Sequence, residues 1–419
     1  MRRVLGSLGV PFLYSVAAVL LGVLVPRLEA RFLPGLTAPA GPGAAMALLS
    51  AIASGMLPLT GLVFSLVFVM VQFSSTAYSP RLVGWLAGSA IIRHSLGVFT
   101  GAFLYALAAL PWIDRGGSGK VPLVTTWVAI AWLLASVVLF VMLIDRLVML
   151  QISRVLTFVG DQGRAVIAAD YRPLRPEARV EDQGALEALP PARQVLTHSG
   201  GPKVVQTVDV KRLVALASRH GAVVVAAVAV GDTVVDGMPL LRVHSEAVAE
   251  GKLRRCVRLG DERTFEQDPK YALRLLVDIA IRALSPAIND PTTAVQALNQ
   301  VEDLLVRLGR SDLEAGRLRD TAGRLRVVLP APSWEDLLAL ALDEIRYCGT
   351  SSIQVMRRMR ALIRTVAEQV PAGRRAALEG YLARVDNGIT RAFEDGEDRD
   401  DALDEDRQGL GLSRERRNG

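Results

Sequence analysis

Apolar residues are crowded into the first third of the chain. Residues 44–79 carry no charged side chain, whereas 394–419 is mostly charge. A bilayer core of about 30 Å needs about 20 apolar residues in a helix. Four stretches meet or approach that length: about 9–28, a segment within 44–79, about 95–113 and about 121–150. They predict an α-helical membrane domain of about four transmembrane helices over 1–150. Met1-Arg2-Arg3 ahead of the first stretch has the form of a signal peptide. No small-x-small cleavage site follows, so the first stretch is expected to remain as an uncleaved helix.

The second stretch is longer than a membrane requires. Its 36 uncharged residues would extend about 54 Å as one helix, unless it breaks near Pro58. At 100° per residue, Ser50, Ser54, Gly61, Ser65, Gln72, Thr76 and Ser79 fall within an arc of about 80°. This stripe of small and polar residues has two readings. One is close helix packing; the other is the lining of a hydrated path closed by neighbouring helices or subunits. After it, Ser79-Pro80-Arg81 ends the helix, and Arg81 is placed to hold an anion or a lipid headgroup.

Beyond residue 150 the pattern becomes that of a chain in water. A helical extension and linker (151–196) precedes a small β-rich unit (197–246), a mainly helical part (247–395) and a charged tail (396–419) too polar to fold. Together these predict a cytoplasmic α+β domain. Strands are expected at 204–208 and 325–329, with a helix at 210–220. Gly231-Asp232 and Asp236-Gly237-Met238-Pro239 punctuate a hairpin. That pattern, Gly231-Asp232-x-Val234-x-x-Gly237-x-Pro239-Leu240, resembles the hairpin of biotinyl- and lipoyl-type β-sandwiches and membrane-fusion adaptors. It lacks a lysine to carry either group, so no cofactor is expected.

Helices are expected from Pro269 to about Leu284, with Asp268 as N-cap, and from Pro291 to about Arg307, capped by Asn289 or Asp290. Further helices are expected at 334–347, 353–370 and 374–393. Arg274, Asp278 and Arg282 recur every fourth residue on one face of an otherwise apolar helix. They predict a buried charge cluster, structural first and a polar site second. Thr292 and Thr293, with Asn289 and Asp290, sit at a helix start that could accept an anion.

Basic residues near the span ends orient the membrane domain. Arg2, Arg3, Arg81, Arg93, Arg146, Arg154 and Arg164 fall on one side, which predicts both termini in the cytoplasm. Arginine supplies 43 of the 48 basic residues and the net charge is +6. These residues alternate with acids on helical patterns, without aromatic interleaving, so nucleic acid is not an expected partner. The two cysteines and four histidines show no metal-ligand spacing. Gly116-Gly117-Ser118-Gly119-Lys120 departs from a phosphate loop in its leading glycine and in Val121. No catalytic motif stands out, and the chain is not expected to be an enzyme.

Gln72 to Arg81, the turns around Gly231, Glu262-Arg263-Thr264-Phe265-Glu266-Gln267-Asp268-Pro269 and, above all, Ser285-Pro286-Ala287-Ile288-Asn289-Asp290-Pro291 are similar to the bacterial predicted membrane proteins grouped as domain of unknown function 2254. The resemblance covers nearly the whole chain except the tail. It implies about four spans in a bacterial inner (plasma) membrane and brings no catalytic residue. The sequence-based expectation is a homo-oligomeric, channel-like or transport-related protein. Its cytoplasmic domain would gate or sense, with a small ion or anionic ligand as partner. The alternative is a membrane-anchored binding or scaffold protein acting through 285–293.

Overall fold

The computed structural model describes residues 2–33, 35–77, 90–115, 119–148, 151–174, 189–313 and 316–412. The chain divides into two compact units, Met1–Gln151 and Ile152–Gly419. The calls on Ser79 and Arg81 lie outside the described residues.

The first unit is helical: α1 (Arg2–Phe32), α2 (Pro42–Ala77), α3 (Ala90–Ala109), a short 3-10 turn (Leu110–Trp112) and α4 (Leu123–Val148). All four helices contain a stretch long and apolar enough to cross a membrane. Their mutual core is built from Ala18 of α1, Leu49, Ile52 and Met56 of α2, Ala102, Tyr105 and Ala106 of α3, and Ala129 of α4. A second cluster joins Val63, Ile92, Phe99 and Leu143. The outside is as apolar as the inside. Phe12, Leu57, Phe64, Phe68, Trp127, Leu134 and Val141 are each more than half exposed, a surface suited to lipid rather than water. Glycines set the helix spacing. A side chain at Gly97 would collide with the Tyr14 ring, and one at Gly101 with the Trp132 ring. The second stretch is one unbroken helix that contains Pro58.

The second unit opens with α5 (Ile152–Asp170). This helix lies within the segment expected as a helical extension and linker. Its buried face (Val155, Leu156, Val159, Gly160, Gly163, Ile167) packs on α8 (Pro269–Ala283) and α9 (Pro291–Gly309). Arg164 pins it there, reaching Asp161 at 2.7 Å and Asp303 at 2.9 Å.

The strands form two sheets around one core. The larger has the order β1 (Ala192–Thr197), β5 (Pro239–His244), β3 (Val223–Ala226), β8 (Leu325–Val328), β7 (Arg317–Arg319); the smaller runs β4 (Thr233–Val234), β2 (Lys203–Val208), β6 (Val257–Gly260). The expected hairpin at 231–240 is corrected here. β4 pairs with β2, whereas β5 pairs with β1 and β3, so the segment crosses from one sheet to the other. Gly231 and Gly237 make the crossing at positive φ, 93° and 78°, where a side chain is disfavoured. The sheet is also not confined to one stretch of chain, because β8 pairs in parallel with β3, Val224 opposite Val327. The helix α6 (Val210–His220) completes the core with Leu213, Leu216 and Ala217, and a short helix, α7 (Glu250–Arg254), follows β5.

The remaining helices are α10 (Trp334–Gly349), α11 (Ile353–Gln369), α12 (Ala372–Ala392) and α13 (Gly396–Leu403). The last overturns the expectation of a disordered tail from 396. Asp395 caps α13 through the Glu397 and Asp398 amides. Asp406 then closes a turn by accepting from the amides of Gln408, Gly409 and Leu412. Composition misleads here because Asp395 and Asp406 are bound by backbone amides and Asp401 and Glu405 are matched by arginines of α11.

Candidate functional site

The stripe on α2 lies on the outside of the helix bundle. Ser50, Ser54, Gly61, Ser65 and Gln72 are all exposed, while Ala45, Leu49, Ile52, Met56 and Val63 face the neighbouring helices. The two sets are separated by about 165° on a helical wheel. Thr76 lies in the last turn of the helix. A Cβ added at Gly55 or Gly61 would meet nothing within 4 Å. Among the described residues, packing against a helix of the same chain therefore does not account for the stripe. Its small members are paired four apart, Ser50 with Ser54 and Gly61 with Ser65, on either side of Pro58. This is the spacing that lets two membrane helices approach closely. The Ser54 hydroxyl donates to the Ser50 carbonyl at 2.8 Å. It is thus satisfied within its own helix, next to the turn where Pro58 has no N–H to offer.

Three sets of polar contacts in the first unit carry no sequence signature. Glu29, near the end of α1, is 5% exposed. Its carboxylate accepts from the Val124 and Thr125 amides at 2.7 and 2.9 Å, and from the Thr125 hydroxyl at 2.9 Å. These amides belong to the first turn of α4 and have no partner within the helix, so a residue 95 positions earlier caps the fourth span. Nearby in the chain, Arg27 and Arg115 both stack on Trp112, at 4.9 and 4.2 Å from the ring centre. Tyr14 and His94 are hydrogen-bonded at 3.1 Å, and Tyr14 meets Trp132 edge-on.

In the second unit, Asp290 caps α9. It accepts from the Thr293 amide at 3.0 Å and from the Thr293 hydroxyl at 2.5 Å. The loop before it folds back, with the Asn289 amide bonded to the Ser285 carbonyl and the Asp290 amide to Ala283. Asn289 takes up φ 48°. Thr293 is buried, whereas Ile288, Asn289 and Thr292 are exposed. Asp290 thus already occupies the start of this helix, where an anion would have to bind.

Arg274 grips Asp278 at 2.6 Å and also reaches Glu344 of α10. Its side chain is 21% exposed and that of Asp278 14%, so the cluster sits at the edge of the core rather than sealed inside it. Arg282, one turn further along α8, is likewise half-buried.

The 262–269 segment connects the sheets to α8. Asp268 is 1% exposed, caps α8 through the Tyr271 amide and pairs with Arg263 at 2.7 Å. Gly231 lies against this pair, and a side chain there would collide with both partners. Gln267, at φ 57°, bonds the Val208 amide and carbonyl at 2.9 and 3.2 Å. Phe158 and Tyr271 pack around the Phe265 ring. Burial raises the Asp268 carboxyl above its ordinary range, against the pull of Arg263. Two motifs distant in sequence thus meet at one junction, and only the N-cap was visible from local spacing.

The last feature is a row of arginines on α11. Arg357 pairs with Asp401 at 3.2 Å, and Arg360 pairs with Asp386 and, at 3.3 Å, with Glu405. Arg364 pairs with Glu405 as well. Arg358 points elsewhere, to Glu302 at 2.8 Å and Asn299.

The family profile Predicted membrane protein (DUF2254) matches residues 7–365. An uncharacterised protein of Mycobacterium bovis is 30% identical over 412 residues, covering 94% of this chain and 77% of its own length. Uncharacterised proteins of two Mycobacterium tuberculosis strains are 30% and 31% identical over the same shares. No solved structure matches. The chain belongs to the family of predicted membrane proteins described as domain of unknown function 2254.

Proposed function

We propose that this protein is a channel-like or transport-related membrane protein. Copies of the chain meet through α2, a path runs between them, and the second unit gates or senses on the cytoplasmic side of a bacterial inner membrane. No catalytic role is assigned. The observation that supports this reading is the outward stripe of Ser50, Ser54, Gly61 and Ser65, exposed on a helix whose opposite face is already packed. Among the described residues, the space between the four helices is occupied mainly by apolar side chains, with a few buried polar ones such as Glu29 and Thr125. A path would therefore run between subunits rather than within one.

Cysteine placed at Ser54 or Ser65 is expected to cross-link chain to chain in membranes, while cysteine at Ile52 is not. Purified protein in liposomes is expected to pass small ions. Absence of cross-linking, together with absence of flux across a range of ions, would sink the proposal.

The second reading is a membrane-anchored binding protein without a path. It is favoured by the Ser54 hydroxyl being satisfied within its own helix. Cross-linking through α2 without any flux would select it. Reporter fusions at both ends test the cytoplasmic placement of the termini.

A further inference from the structure

We propose that the C-terminal segment 396–412 is a displaceable acidic strap, and that it covers a phosphate-binding face of α11. Arg357, Arg360 and Arg364 are spaced three and four apart, which places them on one side of the helix. Planar guanidinium groups presented in a row suit the multi-oxygen anions of phosphates, which they can grip through two oxygens at once. In this chain those groups are met by carboxylates: Asp401 at Arg357, Asp386 and Glu405 at Arg360, and Glu405 at Arg364. Asp401 and Glu405 belong to the strap, so the strap supplies the negative charge a phosphate would bring.

Two observations argue that this cover is separable from the face beneath it. The first is its anchorage. Among its described apolar side chains Ala402 is fully buried and Leu403 half-buried, whereas Leu410 and Leu412 are 54% and 73% exposed. Ion pairs and turn contacts, rather than a hydrophobic core, therefore hold it. The Arg364–Glu405 pair, with side chains 52% and 32% exposed, is weak and screened by salt, whereas Arg357 and Arg360 are only 10% and 9% exposed and come within reach of a ligand only as the strap lifts. The second is the extent of the family match. It ends at residue 365, so the three arginines lie inside the matched region and the strap outside it. Gly409 and Gly411, at φ 72° and 74°, bring the last turn against Gln354 and the Arg357 guanidinium. The strap thus ends on the same arginine row.

The test uses the full chain in phosphatidylcholine nanodiscs. Inositol hexakisphosphate is the soluble probe, and phosphatidylinositol bisphosphate in the nanodisc is the lipid probe. Hydrogen exchange of 396–412 is expected to speed up when one of them is added. Asp401→Asn with Glu405→Gln is expected to tighten binding of that probe by about tenfold, as loss of a few weak competing ion pairs implies. Arg364→Gln, at the most exposed of the three arginines, is expected to weaken it in the same background, with an unchanged melting curve showing the fold intact. A response to the soluble probe assigns a free phosphate, and a response to the lipid alone assigns a headgroup. Unchanged exchange with both probes, or binding indifferent to Arg364→Gln, overturns the proposal.

Discussion

Burial, followed by the nearby Asp268 and Asp170 carboxylates, pushes the Tyr171 phenol up to about 12. An unfolded tyrosine titrates near 10. The folded state therefore holds its proton more tightly, and this contribution to stability is complete below pH 10. It is lost as pH rises towards 12. Tyr171→Phe is expected to flatten that part of the alkaline unfolding curve, read by near-ultraviolet circular dichroism. Acid acts through other groups. The Asp336 carboxyl is held below its ordinary range first by the Ser333 amide, and Asp320 first by Arg326. A depressed carboxyl stabilises the fold above the unfolded value near 3.9 and ceases to do so as pH falls through the folded one. Denaturant midpoints are expected to drop below about pH 4, and less so in Asp336→Asn. At Gly231 the backbone and the Arg263–Asp268 pair leave no room for a Cβ. Gly231→Ala is expected to cost about 1–3 kcal/mol, measured by chemical denaturation.

At the scale of elements, what could be read from sequence followed the range of the interaction. The caps at Asp268 and Asp290 act on amides three residues away, and proline after an acid announces them. The four apolar stretches declare themselves by composition alone. The parallel pairing of β3 with β8 does not, because each strand is short and its partner lies about a hundred residues away. The tail failed for a related reason. Its acidity resembles that of a solvated segment until the arginines of α11 are placed opposite it. The direction of the α2 stripe could not be chosen from the wheel, which gives the arc but not the neighbour. The cap on α4 yields a prediction at this scale. Glu29→Ala removes the acceptor for two amides and a hydroxyl, and is expected to lower stability by about 1–2 kcal/mol. Thermal unfolding in mild detergent would show it. Glu29→Gln, which keeps one acceptor oxygen, is expected to lose less.

Across the whole molecule the two units have separate cores, one suited to lipid and one to water. A chain beginning at Ile152 is expected to be soluble and to melt cooperatively, which calorimetry would check. A chain ending at Val248 is expected to aggregate, because β3 would then present the edge that β8 covers.

The reach of Glu29 across the bundle also bears on biogenesis. During synthesis α1 enters the membrane first and carries an unmatched carboxylate until α4, the last span, arrives with its free amides. The bundle is therefore completed by a contact that the first span cannot make until the fourth is in place. A chain stopped before α4 is expected to leave this carboxylate without its two amide donors.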